Sequence, residues 1–136
     1  MIRHARAEAP NEACGLLAGA DGAVSAVHCL ANARRSPAEY ELTADGYLLA
    51  MDLDEAGRLL GSFHSHPCAA AYPSPSDVRL AYWPILYIIV SLAGEHPVVR
   101  AFRIRQRSGD GTDAEGGQPA VNAGAADVED VELEVI

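Results

Sequence analysis

The apolar and polar positions of this chain predict short strands interspersed with short helices. After Glu12, small and apolar residues fill the predicted strand 12–19, and the turn signal Asp21-Gly22 separates it from a second apolar segment, which is the pattern of a β-hairpin. Residues 85–92 are apolar on both faces, with an unbroken apolar run over 85–90, as in a buried central strand. Strand patterns occupy residues 12–19, 24–30, 39–42, 59–66, 85–92, 98–105 and 131–135, and the last of these alternates strictly, as an edge strand does.

Helical patterns lie between these strands. They cover residues 1–9, which Pro10 ends, residues 48–56, which Gly57 closes, and residues 76–81, which Ser74 or Ser76 caps and Pro84 ends. Helices among strands, with several hairpin-like pairs, predict an α/β layer protein built on a mixed sheet. We therefore expect a domain over 1–107, a flexible acidic loop rich in Gly and Ala over 108–126, and an edge strand of the same domain within 127–136.

Length and charge exclude several classes of protein. The 136 residues fit one domain, and the longest apolar run, 85–90, is far shorter than the roughly 18 residues that cross a bilayer. The formal net charge is −9, and the tail 108–136 holds eight acidic residues and no basic one, so a basic face for nucleic acid is not expected. Three cysteines without an export signal indicate free thiols. We expect a cytoplasmic protein that binds neither nucleic acid nor membrane.

The strongest local signal is the pair of histidines in Phe63-His64-Ser65-His66-Pro67. Side chains alternate along a strand, so His64 and His66 lie on one face and can hold one ion. A third ligand is available in Asp77, eleven residues later at the start of a helix. Two histidines and one carboxylate leave a tetrahedral zinc ion one open position for water, which is the catalytic pattern. Bound zinc lowers the pKa of that water to roughly 7.

A His-x-His pair alone is a weak signal, because paired histidines on a strand often pack or face solvent. A cupin site would place a glutamate three or four residues after the second histidine, where Ala69 and Ala70 stand. An iron oxygenase with two histidines and one carboxylate remains chemically open, although its usual ligand order is His-x-carboxylate followed by His.

The spacing of five residues resembles the signature of the JAMM (MPN+) metalloproteases. Glu12 opens the first strand, His64 and His66 follow with Ser65 between them, and Ser74 and Asp77 stand at the family's distances. The resemblance implies a three-layer α/β sandwich of the cytidine-deaminase type. It also implies hydrolysis of peptide or isopeptide bonds after the C-terminal glycine of ubiquitin-like proteins.

The resemblance assigns a role to each matched residue. His64, His66 and Asp77 resemble the family's zinc ligands. Glu12 resembles the general base that takes a proton from zinc-bound water and passes it to the leaving amine. Ser74 resembles the residue whose hydroxyl stabilises the oxyanion, and it can also cap the helix that follows.

The small size and the segment 71–81 most resemble bacterial stand-alone members of the Mec type. These release cysteine from a ubiquitin-like β-grasp sulfur-carrier protein whose Gly-Gly end carries an added cysteine, a step in cysteine biosynthesis. The expected partner is therefore such a carrier, and a homodimer is an additional expectation. The alternatives are a catalytically silent scaffold of the same fold, a general deubiquitinase-like isopeptidase, another small amidase and the oxygenase.

Some further side chains have two interpretations. Cys68, two positions after His66, is either a loop thiol or a regulatory thiol that can occupy the open zinc position. Cys14 is expected to be an inert core residue. Tyr82 and Trp83 belong to the core or rim, or line a groove for an extended tail.

Overall fold

The computed structural model describes residues 1–106 and 126–135, whose strands form one mixed sheet. The elements in chain order are α1 (Ile2–Glu8), β1 (Cys14–Ala20), β2 (Ala23–Leu30), α2 (Ala44–Glu55), β3 (Leu59–His66), α3 (Pro75–Leu80), β4 (Leu86–Ser91), β5 (Val98–Gln106) and β6 (Ala126–Val131). The strand order is β2-β1-β3-β4-β5-β6. The pair β3–β4 is parallel and the other neighbouring pairs are antiparallel, which confirms the predicted mixed α/β sheet.

A tight turn joins β1 and β2, as the sequence predicts. Asp21 and Gly22 have φ angles of 53° and 75°. Positive φ at both central residues is the conformation of the turn that matches the twist of a hairpin. Ala20 and Ala23 pair directly across this turn.

The parallel pair β3–β4 lies at the centre of the sheet, and α3 belongs to the crossover between the two strands. A parallel connection must carry the chain back to the starting edge, so the long segment from His66 to Leu86 is a topological requirement. Ile88, Ile89 and Val90 of β4 are at most 3% exposed, since helices or loops cover both faces there.

Helices cover both faces of the sheet. On one face Ala5 of α1 packs with Val90, and on the other face Val78 of α3 packs against the cluster that contains Tyr87. Gly46 of α2 lies beside Leu30, on the face that α3 also covers. This arrangement confirms the predicted three-layer sandwich. In the part of the chain that the structure describes, no helix is both long enough and apolar enough to cross a membrane.

The predicted strand over 39–42 is wrong. This segment makes one isolated bridge, between Asn32 and Leu42, and otherwise has no ladder. The side-chain amide of Asn32 bonds the backbone of Glu39 and Glu41 and so replaces a partner strand. The sequence pattern cannot reveal that a side chain takes the place of a partner strand, because the order of polar and apolar residues is the same in both cases.

The predicted strand over 131–135 is also wrong in its position. β6 spans Ala126–Val131 and pairs with β5, while 132–135 have no regular structure. Ala126 and Val128 pack against the core, whereas Leu133 and Val135 are 42% and 99% exposed. The alternating apolar residues that follow β6 are therefore not buried against the sheet. The predicted loop over 108–126 lies outside the described residues except for its last position, which is the first residue of β6.

The helix predicted over 48–56 begins four residues earlier. Thr43 caps α2 by accepting a hydrogen bond from the Gly46 N–H at 3.2 Å, so α2 spans Ala44–Glu55. A threonine at the N-cap is the signal that would have placed this boundary.

Candidate functional site

Strand β3 presents two histidines side by side on one face of the sheet. His64 and His66 are 1% and 5% exposed, and Ser65 between them points to the opposite face. The Nδ1–H of His66 donates to the carbonyl of Ala70 at 2.8 Å. In the neutral ring this bond leaves the Nε2 of His66 with a lone pair, which is the form that a metal ion binds. The ring of His64 is stacked on Tyr40, with centroids 4.5 Å apart and an interplanar angle of 19°.

The start of α3 brings Asp77 to these histidines. The Ser74 hydroxyl accepts from the Asp77 N–H at 3.1 Å, and the Ser74 N–H donates to Asp77 Oδ2 at 2.9 Å. These two bonds form a capping box, and Pro75 occupies the first position of the helix, where its missing N–H costs nothing. The predicted cap at Ser74 is confirmed, and it fixes the carboxylate of Asp77.

The connection between β3 and α3 is tied to the sheet. The Ser91 hydroxyl donates to the carbonyl of Ala69 at 2.6 Å, and a guanidinium N–H of Arg100 donates to the carbonyl of Ala71 at 3.4 Å. These bonds hold the loop that must return Asp77 to the histidines.

His64, His66 and Asp77 form a compact set of donors, which we name the ligand triad. The Nε2 atoms of the two histidines are 3.1 Å apart, and each lies 3.0 Å from Asp77 Oδ2. Tetrahedral ligands at about 2.0–2.1 Å from zinc are separated by roughly 3.3 Å, so the triad is close to the size that one ion requires. Among the described residues, these three side chains form the group of His, Cys, Asp and Glu whose ligand atoms lie close enough together to hold one metal ion. The triad fits a metal centre.

Charge within the triad agrees with this interpretation. Burial alone would raise the pKa of Asp77, but the hydrogen bonds from His64 and His66 outweigh it and hold that pKa well below its usual range. Burial would lower the pKa of His66, yet the hydrogen bond to Asp77 raises it overall. Both shifts favour the charged forms of these groups, and a metal ion would compete with a proton for the histidine nitrogen.

Glu12 lies buried close to the triad. It is 3% exposed, and its Oε2 atom has no hydrogen-bond partner among the described residues. Burial, followed by the charge of Asp77, raises the pKa of Glu12 to about 7 against the lowering effect of His66. A buried carboxylate oxygen without a partner is costly, and a water molecule at the triad is the kind of group that would satisfy it.

The position of Glu12 depends on the residue that follows it. Ala13 lies opposite Ser65 of β3, and the Ser65 N–H donates to the Ala13 carbonyl at 2.9 Å. The Ala13 N–H donates to the Ser65 hydroxyl at 2.7 Å, so this side chain continues the ladder beyond β1. The serine between the two histidines thereby holds the chain beside them.

The raised pKa of Glu12 predicts a pH-dependent stability for the metal-free protein. The folded state binds the Glu12 proton more tightly than the unfolded state, so the stabilisation from protonation is complete below about pH 4.5 and is lost as the pH rises through 7. In Glu12→Gln that loss is absent. We expect the variant to match the parent in acid and to exceed its free energy of unfolding by about 3 kcal/mol at pH values well above 7. Urea denaturation over this pH range measures the difference, and a constant difference would contradict the prediction.

A groove of about 430 Å³ lies on the same face of the sheet and reaches Asp77. Leu16, Ser62 and Tyr87 line it from the strands, and Tyr82 and Trp83 line it from the segment after α3. Of the interpretations open for the two aromatic residues, the structure shows that they line a groove and stand at its rim, and whether the groove takes an extended tail stays a prediction. Tyr82 is 72% exposed, so an apolar side chain stands at the rim.

The remaining candidates have simpler environments. Cys14 is buried, and burial raises the pKa of its thiol to about 12, which confirms an inert core residue. Cys68 is exposed, and its regulatory role stays a prediction.

Tyr40 and Asn32 could not be found from the sequence, since a single tyrosine and a single asparagine in a polar segment form no pattern.

The fold and the site together define the class of protein. A three-layer α/β sandwich that gathers two histidines, an aspartate and a buried glutamate at one end of a parallel strand pair has the architecture of a metal-dependent hydrolase.

Comparison with known proteins gives the family. Residues 1–105 match the family described as prokaryotic homologs of the JAB domain. The chain is 38% identical to a CysO-cysteine peptidase of Mycobacterium tuberculosis, over 76% of this chain and 75% of that protein. It is 40% identical to a probable TtuB-protein conjugate cleaving protease of Thermus thermophilus, over 73% of this chain and 66% of that protein. The solution structure of a protein from Desulfitobacterium hafniense superposes with a TM-score of 0.65 at 43% identity, covering 76% of both chains.

The chain belongs to the prokaryotic JAB-domain family and is a hydrolase of that family.

Proposed function

We propose that this protein is a zinc-dependent hydrolase that cleaves the bond after the C-terminal Gly-Gly of a ubiquitin-like sulfur-carrier protein. The observation that carries the proposal is that the three donor atoms of the ligand triad lie within 3.1 Å of one another, with the buried carboxylate of Glu12 nearby. A scaffold without catalytic activity would have no need for three buried donors that face one another. An iron oxygenase would require oxygen chemistry that neither relative's name describes.

His64, His66 and Asp77 would hold the zinc ion. Two imidazole nitrogens and one carboxylate oxygen suit this metal and leave a position for water or substrate. When bound, zinc supplies a Lewis acid for the scissile carbonyl and makes hydroxide available near neutral pH. Ala70 and Ser74 hold the ligands in place through their bonds to His66 and Asp77.

Glu12 would carry the proton. Its carboxylate accepts a proton from the attacking water and then donates it to the leaving amine, and a pKa raised to about 7 by burial suits both transfers. The absence of a hydrogen-bond partner for Oε2 among the described residues leaves that oxygen available for this exchange.

Ser74 would stabilise the oxygen of the scissile carbonyl as negative charge develops on it. Its Oγ already accepts the N–H of Asp77, so the hydroxyl proton remains free to be donated. This role and the capping role are compatible because they use different parts of one hydroxyl group.

Replacement of Ser74 by alanine is expected to lower kcat by on the order of 100-fold, the usual effect of removing one oxyanion donor. The same change removes a helix cap worth about 1 kcal/mol. Thr43→Ala is the matched control, because it removes the cap of α2 and Thr43 is not itself among the residues that line the groove. Steady-state kinetics and thermal denaturation of both variants separate the two effects. If Thr43→Ala slows turnover as much as Ser74→Ala, the oxyanion role is wrong.

The substrate class is supported by the relatives and by the groove. The names of the two relatives describe a peptidase for a CysO-cysteine adduct and a protease for TtuB-protein conjugates. An extended C-terminal tail would lie in the groove, and glycine residues would let its main chain approach the floor closely. Among the described residues the backbone N–H and C=O of Tyr40, which lines the groove, have no hydrogen-bond partner, so they are available to pair with such a tail.

Within this class we propose a carrier–cysteine adduct as the substrate, so that the product is free cysteine for cysteine biosynthesis. The CysO-cysteine peptidase supports this choice. A general isopeptidase acting on carrier–lysine conjugates is the second candidate, and the Thermus relative favours it.

Intact mass spectrometry distinguishes the two candidates. The zinc-loaded protein is incubated with β-grasp carriers that end in Gly-Gly-Cys, and with carriers joined through Gly-Gly to a lysine side chain. Loss of one cysteine residue from the first substrate supports the proposal, and cleavage of the second substrate alone favours the isopeptidase. Carriers ending in Ala-Ala-Cys test the need for glycine. Treatment with a chelator, followed by addition of zinc, manganese or iron, identifies the metal that restores activity. No cleavage of any substrate with any metal would refute the proposed function.

A further inference from the structure

The buried side-chain amide of Asn32 joins three separate stretches of backbone near the site. Asn32 is 7% exposed. Its Nδ2 donates to the carbonyls of Glu12 and Glu39 at 3.1 and 3.0 Å. Its Oδ1 accepts from the N–H groups of Arg34 and Glu41 at 2.9 and 3.1 Å. An amide offers two donor hydrogens and two acceptor lone pairs, so every bonding position of this side chain is used, and each is used by backbone.

One of these bonds holds the general base. The carbonyl of Glu12 is bonded to Asn32, and its N–H donates to the carbonyl of Ser36 at 2.8 Å. Both backbone groups of Glu12 are thus bonded to the segment 32–42, whereas the sheet holds only Ala13, the residue that follows it. The two peptide planes fix the direction in which the Glu12 side chain leaves the backbone.

Two of the remaining Asn32 bonds hold the backbone on either side of Tyr40. This residue stands between Glu39 and Glu41, and the backbone of both neighbours is bonded to Asn32. The Tyr40 ring lies on the ring of His64 at 4.5 Å. The same amide therefore positions the proton carrier and the aromatic ring that supports the first metal ligand.

The contacts that hold the ligand triad do not involve Asn32. The two histidines belong to β3, whose neighbours are β1 and β4, and Asp77 is fixed by the cap of α3. Loss of the Asn32 amide should therefore displace Glu12 and Tyr40 while the metal ligands remain together. We propose that Asn32 is a positioning residue that sets Glu12 and Tyr40 against the ligand triad. The catalytic part of this inference rests on the proposed function.

The sharpest variant is Asn32→Asp, which has nearly the same shape. It keeps an oxygen for the N–H groups of Arg34 and Glu41, but it places a second oxygen against the carbonyls of Glu12 and Glu39. Displacement of a reacting group by about 1 Å can cost on the order of 100-fold in rate. We expect kcat on the carrier substrate to fall by roughly 10–100-fold. KM should rise as well, because the backbone of Tyr40 lines the groove, whereas zinc affinity should fall less than in Asp77→Asn.

A second measurement does not depend on activity. A tyrosine ring stacked on His64 shifts the ring-proton resonances of that histidine upfield in the NMR spectrum. In the metal-free protein we expect Asn32→Asp to move these resonances toward their values in Tyr40→Leu, where the stacking is absent. Ile88→Ala is the matched control, since Ile88 is 3% exposed and belongs to the cluster on the opposite face of the sheet. It should destabilise the fold and leave both kcat and the His64 resonances unchanged.

The outcomes separate this inference from the proposed function. If the parent protein cleaves no carrier substrate, the proposed function fails, and the His64 resonances still decide whether Asn32 positions Tyr40. The inference is overturned if Asn32→Asp keeps the parental kcat and the parental His64 resonances. It is also overturned if Ile88→Ala reproduces both changes, or if zinc affinity falls as far in Asn32→Asp as in Asp77→Asn.

Discussion

Replacement of Glu12 by glutamine is expected to lower kcat by on the order of 10³-fold while the metal ion remains bound. Glutamine has the same shape as glutamate, but it cannot accept a proton from water or return it to an amine. Glu12 belongs to neither β3 nor α3, the elements that hold the ligand triad. The variant therefore separates loss of chemistry from loss of metal.

Zinc content by atomic spectroscopy and kcat by intact mass test this expectation together. Glu8→Gln is the control, because Glu8 is an exposed carboxylate on α1, away from the groove. Neither zinc content nor kcat should change in that variant. A Glu12→Gln protein with parental turnover would remove Glu12 from the mechanism, and one that had lost its zinc would make Glu12 a ligand rather than a proton carrier.

Loss of a ligand is the second large effect. We expect His64→Ala and Asp77→Ala to lose both metal and turnover, because each variant leaves two donors where the site needs three. Substitutions of groups that merely support a ligand lower metal affinity by about 10–100-fold, so removal of a ligand should exceed that range. Activity should then fall to the uncatalysed background.

Isothermal titration with zinc measures the affinity, and far-ultraviolet circular dichroism verifies the fold. Asp77→Asn provides a milder test, because the amide oxygen can still accept the Ser74 N–H and complete the cap of α3. His28→Ala is the matched control, since His28 lies on the edge strand β2, away from the triad. Parental zinc affinity in His64→Ala or Asp77→Asn would show that the metal binds elsewhere.

The two sets of predictions depend on different parts of the fold. The triad comes from β3 and the start of α3, which the parallel pair β3–β4 places at one edge of the central sheet. Glu12 comes from the residues before β1, held by Ser65 and by the segment 32–42. Metal binding and proton transfer can therefore be disturbed separately, which is what the variants of Glu12, Asn32 and Asp77 are designed to show.

Local patterns predicted the elements that carry the triad. Alternation along a strand places His64 and His66 on one face, and a serine three residues before Asp77 is a signal for the cap of a helix. These features depend on neighbours a few residues away, so they are visible in the sequence. The hairpin turn at Asp21-Gly22 is predictable for the same reason.

The two wrong strand predictions depend instead on contacts between distant parts of the chain. The segment 39–42 has the composition of a strand, but its backbone bonds the side chain of Asn32 and the N–H of Ala33, and only the folded chain brings these groups together. The segment 131–135 alternates strictly, but burial of Ala126 and Val128 decides where β6 pairs with β5. In both cases a long-range partner outweighs the local pattern.

The sequence by itself determined the donor set and the spacing that suits a metal centre, because ligand identity and strand periodicity are local properties. Only the tertiary structure decided that the three donor atoms meet within 3.1 Å and that Glu12 is buried with a pKa raised to about 7. It also decided that Tyr40 stacks on His64 and that one amide organises both residues. Such facts depend on desolvation and on contacts between distant segments, which exist only once the chain has folded.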